Sequence, residues 1–475
     1  MNFHIKKFTA LHKPLYEMTV RVLNGEEKLS SSFTTGKTFL IKKDPSKSGP
    51  GNYRPITCQP TLTKLITSVA KEEMYYYCER YNLLHENQLG VVRGTEGAHE
   101  QASLSKAIHK VCPDLKVAWL DLAKAFDTVP HSLLLKILRI KGFPERIVQL
   151  VSHILGNTKL ELYLGRDSIE TATVERGIIQ GDSLSPLLFV LVVDVLMCFL
   201  EKKFDKIEFG TRVGTYSVNC LAFMDDLKFV GPGEEIVEKM LGSAVEFFEV
   251  LGMSINPTKS ATNFKLGLEG YGQINANDFY HYLGIVEGEE GLRSKETKDK
   301  VIEKVIARAT YIADSKLYAR NAVTAFNEFV ITPLVYILGL ADFSFKELSD
   351  LDDRLRSILT TTGKFRLGTG TVQGFYLSVR KNGFGIKSVL ELGAKILLAK
   401  RERREKRAQA EPKIDFLLAV SNRDVDLTSI TREYCAQKWG VPEANLTSKN
   451  LRVFQEEAKL VIIKAKPLTG YFWRT

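Results

Sequence analysis

Paired cysteines are missing from this sequence. Its six cysteines, Cys58, Cys78, Cys112, Cys198, Cys220 and Cys435, are scattered, with no Cys-x-x-Cys and no paired histidine spacing. That excludes a zinc finger and a disulfide framework, and it points to a reducing, intracellular compartment. Long apolar runs are missing too. The start, Met1-Asn2-Phe3-His4-Ile5-Lys6-Lys7, carries no apolar stretch of signal-peptide length. The greasiest segment, Leu184 to Leu200, is interrupted by Pro186 and Asp194, so nothing is expected to span a membrane. Repeats and low-complexity tracts are also absent, and no fibrous or array architecture is indicated.

What remains is the composition of an ordinary globular protein, 44% hydrophobic and 26% charged over 475 residues. That length exceeds one core and suggests about three domains. Lys+Arg outnumber Asp+Glu by 66 to 56, giving a net charge of +10 and a pI near 9.0. Such an excess favours a polyanionic partner, although a solvated lysine-rich face gives the same balance.

Residues 1–115 mix basic, aromatic and turn-forming segments. Thr38-Phe39-Leu40-Ile41 reads as a strand, a loop leads to Arg54-Pro55, and Leu62 to Tyr81 reads as a helix. From Lys116 to Ile285 short apolar runs alternate with helices. Val117 to Leu120 reads as a buried strand, Ser132 to Ile140 as a helix, Leu160 to Leu164 as a strand and Ser185 to Phe199 as an apolar helix. Strand-like runs Ser217 to Phe223 and Lys228 to Val230 follow, then a helix from Glu235 to Val250 with Ile236, Met240, Ala244 and Phe248 on one face. The alternation predicts an α+β fold, a sheet with helices on one side. Beyond Arg293 the chain reads as largely helical, broken at Pro333. The basic run Arg401-Glu402-Arg403-Arg404-Glu405-Lys406-Arg407 fits a solvated helix face and a phosphate contact equally well.

Two acidic sites stand out. Asp121 closes the apolar strand Val117 to Leu120, and Asp225-Asp226 sits between two short apolar runs at hairpin spacing. Taken singly, an Asp at a strand end is most often a cap or turn residue, and an Asp pair between strands a solvated turn.

Their company changes the reading. Asp121-Leu122-Ala123-Lys124-Ala125-Phe126-Asp127, Gln180-Gly181-Asp182-Ser183-Leu184-Ser185-Pro186, Phe223-Met224-Asp225-Asp226, Leu251-Gly252-Met253-Ser254-Ile255-Asn256-Pro257-Thr258-Lys259-Ser260 and Tyr282-Leu283-Gly284 occur in that order. Over about residues 38–290 this series resembles the palm motifs of reverse transcriptases. Asn52-Tyr53-Arg54-Pro55-Ile56 upstream and Asn382-Gly383-Phe384-Gly385-Ile386 downstream are similar to segments of the non-LTR retrotransposon (LINE, R2-like) enzymes.

The resemblance implies a right-hand polymerase, with fingers in 1–115, a ferredoxin-like palm in 116–290, a helical thumb in 291–370 and a basic helical extension in 371–475. It implies an RNA-directed DNA polymerase that extends a DNA or RNA primer with dNTPs on an RNA template, using two Mg²⁺ ions, with Mn²⁺ as a substitute. Asp121 and Asp225 would ligate the metals beside Asp226, and the Leu122 carbonyl would complete a shell. Phe126 would exclude a 2′-hydroxyl, Gln180 and Gly181 would let the backbone approach the base pair, and Lys259 would serve the leaving pyrophosphate. Arg54 with Lys42 or Lys43 would clamp the triphosphate, and Tyr282-Leu283-Gly284 would form the primer grip.

Ser183 departs from the proline common at its place, which predicts a looser loop. An RNA-dependent RNA polymerase would place an Asp near Phe126, and Asp127 is one residue out of register for that. A silent RNA-binding remnant would be expected to lose carboxylates, and all three are present. A maturase or telomerase-like enzyme is a further alternative. With no Cys/His cluster before the end at Trp473-Arg474-Thr475, no endonuclease or zinc knuckle is expected, as in a truncated element, a fragment or one part of a divided system.

Overall fold

A computed structural model describes residues 2–465 apart from 47, 267–270, 276–277, 362–364, 366–371, 422–426 and 444–445; the end at Trp473-Arg474-Thr475 lies outside the described residues. The chain divides into two compact units, one of residues 1–101, 115–207 and 218–274, the other of residues 102–114, 208–217 and 275–475. The four expected segments are a division by role, which compactness does not address.

The first unit is α+β, as the alternation predicts. Its main sheet runs in the order Gly272–Gln273, Ala261–Thr262, Lys116–Leu120, Asp226–Gly231, Cys220–Phe223, antiparallel around the strand Lys116–Leu120. Ala118, Leu120, Leu227 and Phe229 on one side of this sheet join the core made by the helices Thr61–Tyr81, His131–Ile140, Glu145–Asn157, Ser185–Lys203 and Glu234–Val250. Alternation along a strand puts these residues on one face, and each large side chain so buried contributes about 1.5–3 kcal/mol. Met240, Ala244 and Phe248 are buried in the same cluster, with Ile236 packed against it.

From Ser185 to Cys198 helix Ser185–Lys203 is almost wholly apolar and largely buried, as a central core helix must be, and its last turns reach solvent at Phe199, Lys202 and Lys203. Its two interruptions have separate reasons. Pro186 occupies the first turn, where a missing N–H costs nothing, and the wholly buried Asp194 pairs with Lys141 and accepts from the His85 amide at 2.5 Å. A second sheet, in the order Tyr53–Cys58, Thr35–Lys42, Lys159–Leu164, Asp167–Thr173, joins two N-terminal strands to a later hairpin of this unit. The run expected from Ser217 to Phe223 is split at Asn219 into the ends of two strands, because the buried Asn219 amide turns aside to the carbonyls of Leu200 and Phe204.

Helices dominate the second unit. Ser294–Asp314, Phe345–Thr361 and Val389–Arg407 carry its apolar cluster, and Pro333 falls in the first turn of Thr332–Ile337, after a π-helical turn at Phe326–Val330. Gly383-Phe384-Gly385 is a tight knot: a Cβ at Gly383 would collide with the Leu377 carbonyl oxygen. Buried Asp352 ties down the start of helix Val389–Arg407, accepting from Ser388 Oγ and from the amides of Val389 and Leu390, and its burial pushes its carboxyl up to about 6. Among the described residues, no helix is long and apolar enough to cross a membrane, and all six cysteines are free thiols.

Candidate active site

Apolar Val117 to Leu120 form the central strand because both faces of the sheet are buried there, and the strand ends where the first acid appears. Leu120 pairs with Leu227 across the antiparallel ladder, and continuing that register by one residue sets Asp121 opposite Asp226. Opposed residues in such a ladder lie about 4.5–5.5 Å apart at Cα. Asp226 also pairs with Phe223, so Met224 and Asp225 form the two-residue tip of the hairpin. Residues far apart in the chain thus bring three carboxylates to one end of one sheet.

Each acid is fixed by its backbone. The Asp121 amide donates to Ser260 Oγ at 3.0 Å, and its carbonyl accepts from the Asn256 amide at 2.7 Å. The segment Asn256 to Ser260 therefore clasps Asp121, and its short turn Pro257–Lys259 places Lys259 Nζ 3.5 Å from Asp121 Oδ2. At the tip, Met224 takes a left-handed conformation (φ 59°), which costs a residue with a Cβ about 1–2 kcal/mol.

Gln88 meets that cost. Its buried Oε1 accepts from the Met224 amide at 3.1 Å and from the Gly90 amide at 2.9 Å, while residues 87–89 exchange backbone hydrogen bonds with Ala222. A Cβ on Gly90 would stand 2.6 Å from the Met224 nitrogen, so only glycine fits. Sequence reasoning missed both residues. The available signal was an Asn-Gln-Leu-Gly stretch joining two helices, polar residues beside a buried leucine where a surface loop has no need of one.

The acids sense one another. Burial, then the neighbouring Asp121, raises the Asp225 carboxyl above its ordinary value; Asp226 is pushed up to about 6 by burial, then by Asp225 and Asp121. Among the described residues no three His, Cys, Asp or Glu side chains already stand close enough together to hold a metal ion. Asp121, Asp225 and Asp226 stand at the same end of the central sheet. The donors are carboxylate oxygens, the kind that suits a hard divalent cation.

Around this centre the expected nucleotide contacts distribute unevenly. Leu122, buried, pairs with Ile255 in a short ladder. Phe126 is half-buried in the turn Ala125–Thr128 and stacks on Phe189, ring centroids 4.9 Å apart. The Phe126 carbonyl accepts from the Ile178 amide at 2.8 Å, which fixes the turn. Next to it, burial raises the Asp127 carboxyl while Lys124 and Lys43 pull it down, so Lys43 lies within electrostatic reach of that turn. Lys42 and Arg54 are exposed on neighbouring strands, facing Tyr53 and Ile41 respectively.

Gln180 and Gly181 adjoin the strand Tyr53–Cys58. The Gln180 carbonyl accepts from the Thr57 amide at 3.3 Å, and a Cβ on Gly181 (φ 108°) would lie 2.7 Å from the Thr57 oxygen. Glycine is thus required there by the protein's own backbone. The loop beyond is tied down, contrary to the looseness expected of Ser183: Ser68 Oγ donates to or accepts from Ser183 Oγ at 3.0 Å, and Asp182 accepts from Thr67 at 2.9 Å and from the Leu184 amide at 2.8 Å. Hydrogen bonds supply the rigidity a proline ring would have given.

In the second unit, Tyr282-Leu283-Gly284 forms the expected hairpin. Tyr282 pairs with Ile285, Leu283 and Gly284 are both left-handed, and Tyr336 donates its hydroxyl to the Leu283 carbonyl.

Comparison with known proteins agrees with this arrangement. Residues 41–286, just over half of the 475, match the family described as "Reverse transcriptase (RNA-dependent DNA polymerase)". A "Retrovirus-related Pol polyprotein from type-1 retrotransposable element R2" of Popillia japonica is 26% identical over 414 residues, 83% of this chain and 56% of that protein. The corresponding polyprotein of the R2DM element of Drosophila melanogaster is 27% identical over 261 residues, 53% of this chain and 24% of that protein. This chain therefore spans about half of the first relative's length and about a quarter of the second's. Apo telomerase from Candida tropicalis aligns at a TM-score of 0.42 and 11% identity, over 86% of this chain and 73% of that one, a likeness too loose to carry an argument. The motif order, the carboxylates gathered at the end of the central strands and the match over 41–286 together place the chain in the reverse transcriptase family.

Proposed function

We propose that this chain is an RNA-directed DNA polymerase of the non-LTR retrotransposon type, extending a primer 3′-hydroxyl with dNTPs on an RNA template. One observation carries the reading: within the family-matched region, Asp121, Asp225 and Asp226 meet at the end of adjacent strands and act on each other's ionisation.

Asp121 and Asp225 would hold two Mg²⁺ ions, with Mn²⁺ as a substitute, beside Asp226 and the Leu122 carbonyl. Bound there, the ions lower the pKa of the primer hydroxyl and neutralise the triphosphate. The remaining work falls to the chain. Asn256 and Ser260 orient the first carboxylate through its backbone, and Gln88 holds the hairpin tip that carries the second. Lys259, 3.5 Å from Asp121, is placed to exchange that partner for a phosphate oxygen and to stabilise the departing pyrophosphate.

Between the two candidate lysines, the reach of Lys43 to Asp127 favours Lys43 beside the nucleotide, with Arg54 as the bidentate phosphate contact. Phe126, backed by Phe189, cannot retreat from a 2′-hydroxyl, and this rigidity suits a sugar gate. Gln180 and Gly181 would line the base pair, and Tyr282, Leu283 and Gly284 would steady the primer end. An intracellular setting suits six free thiols.

Primer extension on an RNA template tests the whole reading. Wild type should incorporate dNTPs in preference to NTPs and Asp225→Ala should incorporate neither; wild-type inactivity with both would leave a silent RNA-binding protein. Phe126→Val should narrow the dNTP preference by about tenfold, the scale of one lost steric contact, and unchanged sugar selectivity would remove Phe126 from the gate.

A further inference from the structure

Behind the Gln88 clasp, in the first compact unit, lies a turn built on a histidine. Its backbone closes it once, the Gln88 amide donating to the His85 carbonyl at 3.0 Å, and the His85 ring closes it again, Nδ1 accepting from the Asn87 amide at 3.1 Å. Short polar side chains lock exposed turns in this way, by accepting from an amide two residues on. Here the lock is a side chain only 5% exposed. Because Nδ1 accepts, the proton of the neutral ring lies on Nε2, which stands 3.2 Å from Glu201 Oε2. Burial holds the ring's pKa below its ordinary value against the pull of Glu201, Asp194 and Glu86, so Nδ1 keeps its lone pair at neutral pH.

The turn is moored to the core. The His85 amide donates to Asp194 Oδ1 at 2.5 Å, and Lys141 Nζ, paired with the same Asp194, donates to the Leu83 carbonyl at 2.7 Å. Asp194 and Glu201 lie two turns apart on one face of helix Ser185–Lys203, so a single core helix holds the His85 backbone with one carboxylate and faces its ring with another. On its other side the turn reaches the catalytic hairpin. The Asn87 carbonyl accepts from the Ala222 amide at 3.0 Å, the Leu89 amide donates to the Ala222 carbonyl at 3.0 Å, and Gln88 Oε1 accepts from the Met224 amide, next to Asp225. A glutamine side chain is flexible, and it can hold a strained tip only where its own backbone is fixed.

We propose that His85 is a positioning residue for nucleotide addition: through Nδ1 it locks the turn that aims Gln88 at Met224, and so fixes the place of Asp225. Its effect on catalysis rests on the polymerase reading, whereas the lock itself does not.

Two substitutions in the full chain separate the acceptor from the bulk of the ring. Asparagine sets Oδ1 near the position of Nδ1 and keeps an acceptor there, and leucine fills the space without one. His85→Leu should lower kcat for primer extension by about tenfold or more, within the roughly 10²-fold that about 1 Å of misplacement can cost, with KM for dNTP near wild type. His85→Asn should restore most of that kcat. Amide hydrogen exchange reads the lock without activity: residues 87–90 and 222–226 should exchange faster in His85→Leu and at the wild-type rate in His85→Asn, with helix Glu234–Val250 unchanged in both. Should His85→Leu not fold, His85→Gln, whose amide reaches the place of Nε2 and not that of Nδ1, stands in for it with the same expectations. A wild type that extends no primer would sink the polymerase reading, and the exchange pattern would then decide the lock alone. With an active wild type, an unchanged kcat in His85→Leu, equal losses in His85→Leu and His85→Asn, an effect on KM alone, or unmoved exchange at 222–226 would overturn the role of His85.

Discussion

Two tight hairpins invite comparison. One, in the first unit, turns at Met224-Asp225, and the other, in the second unit, turns at Leu283-Gly284. Both contain a left-handed residue with a side chain, Met224 in one and Leu283 in the other, and both are steadied by a distant hydrogen bond. Gln88 accepts from the Met224 amide, and Tyr336 donates to the Leu283 carbonyl. The difference lies in the second turn residue. Where no side chain is needed, Gly284 takes a left-handed conformation freely, but the first turn carries Asp225, whose carboxylate glycine cannot replace. Each turn thus carries one strained residue with a side chain, and the first is held by a buried glutamine together with a glycine pressed against Met224.

The largest effect should come from removing the group the first turn exists to carry. Asp225→Asn should lower primer extension by about 10²–10³-fold or more, the scale of one lost transition-state charge partner; activity within a few fold of wild type would sink the role given to that hairpin.

A smaller loss should follow from disturbing the support. Gly90→Ala drives a methyl to 2.6 Å from the Met224 nitrogen, so the tip must shift. A misplacement of about 1 Å can cost about 10²-fold, and kcat should fall while KM for dNTP stays near wild type. Gln88→Leu should do the same more mildly, and a change in KM alone would mean that the clasp does not position the acid.

Acid–base behaviour sharpens the contrast, because only the first hairpin carries coupled carboxylates. The Asp226 carboxyl, raised from 3.8 to about 6, binds its proton more tightly in the folded chain than in the unfolded one. Its stabilising contribution is fully present below about pH 4 and is lost as the pH rises through about 6. The metal-free chain should therefore gain thermal stability from Asp226 on acidification from pH 7.5 to 5. Asp352, raised in the same sense, adds a parallel gain, so the readout is the difference between wild type and Asp226→Asn. Identical melting profiles for the two across that window would dismiss the coupling.

The second hairpin should give the smallest response. Tyr336→Phe removes one hydrogen bond to the Leu283 carbonyl, worth about 1 kcal/mol, and should leave single-nucleotide addition within a few fold. A collapse of activity as deep as that of Asp225→Asn would reverse the ranking of the two turns.

Much of the first unit was legible in the sequence, because its signals are local. The apolar run ahead of Asp121, the short strands flanking Met224-Asp225 and the face of Met240, Ala244 and Phe248 each follow from a period of two or 3.6 residues. Motif order then carried the family, as the match over 41–286 shows. The clasp of Gln88 on the hairpin stayed hidden, since it joins residues 136 positions apart through a single amide oxygen. Gly181 was read for its approach to a ligand, yet the Thr57 carbonyl alone demands it. Likewise the 401–407 run was ambiguous, because Arg403 and Lys406 face solvent while Arg404 is buried, a division that depends on which neighbours the helix meets.

By itself the sequence determined where strands end in acids, which helices are buried and to which family the chain belongs, because periodicity and motif spacing are written along the backbone. Only the tertiary structure decided how the acids come to one end of a sheet, which residues hold the strained turn and which of the basic residues at 401–407 are buried. Electrostatics and close packing act through space, and a linear pattern does not encode the distances on which they depend.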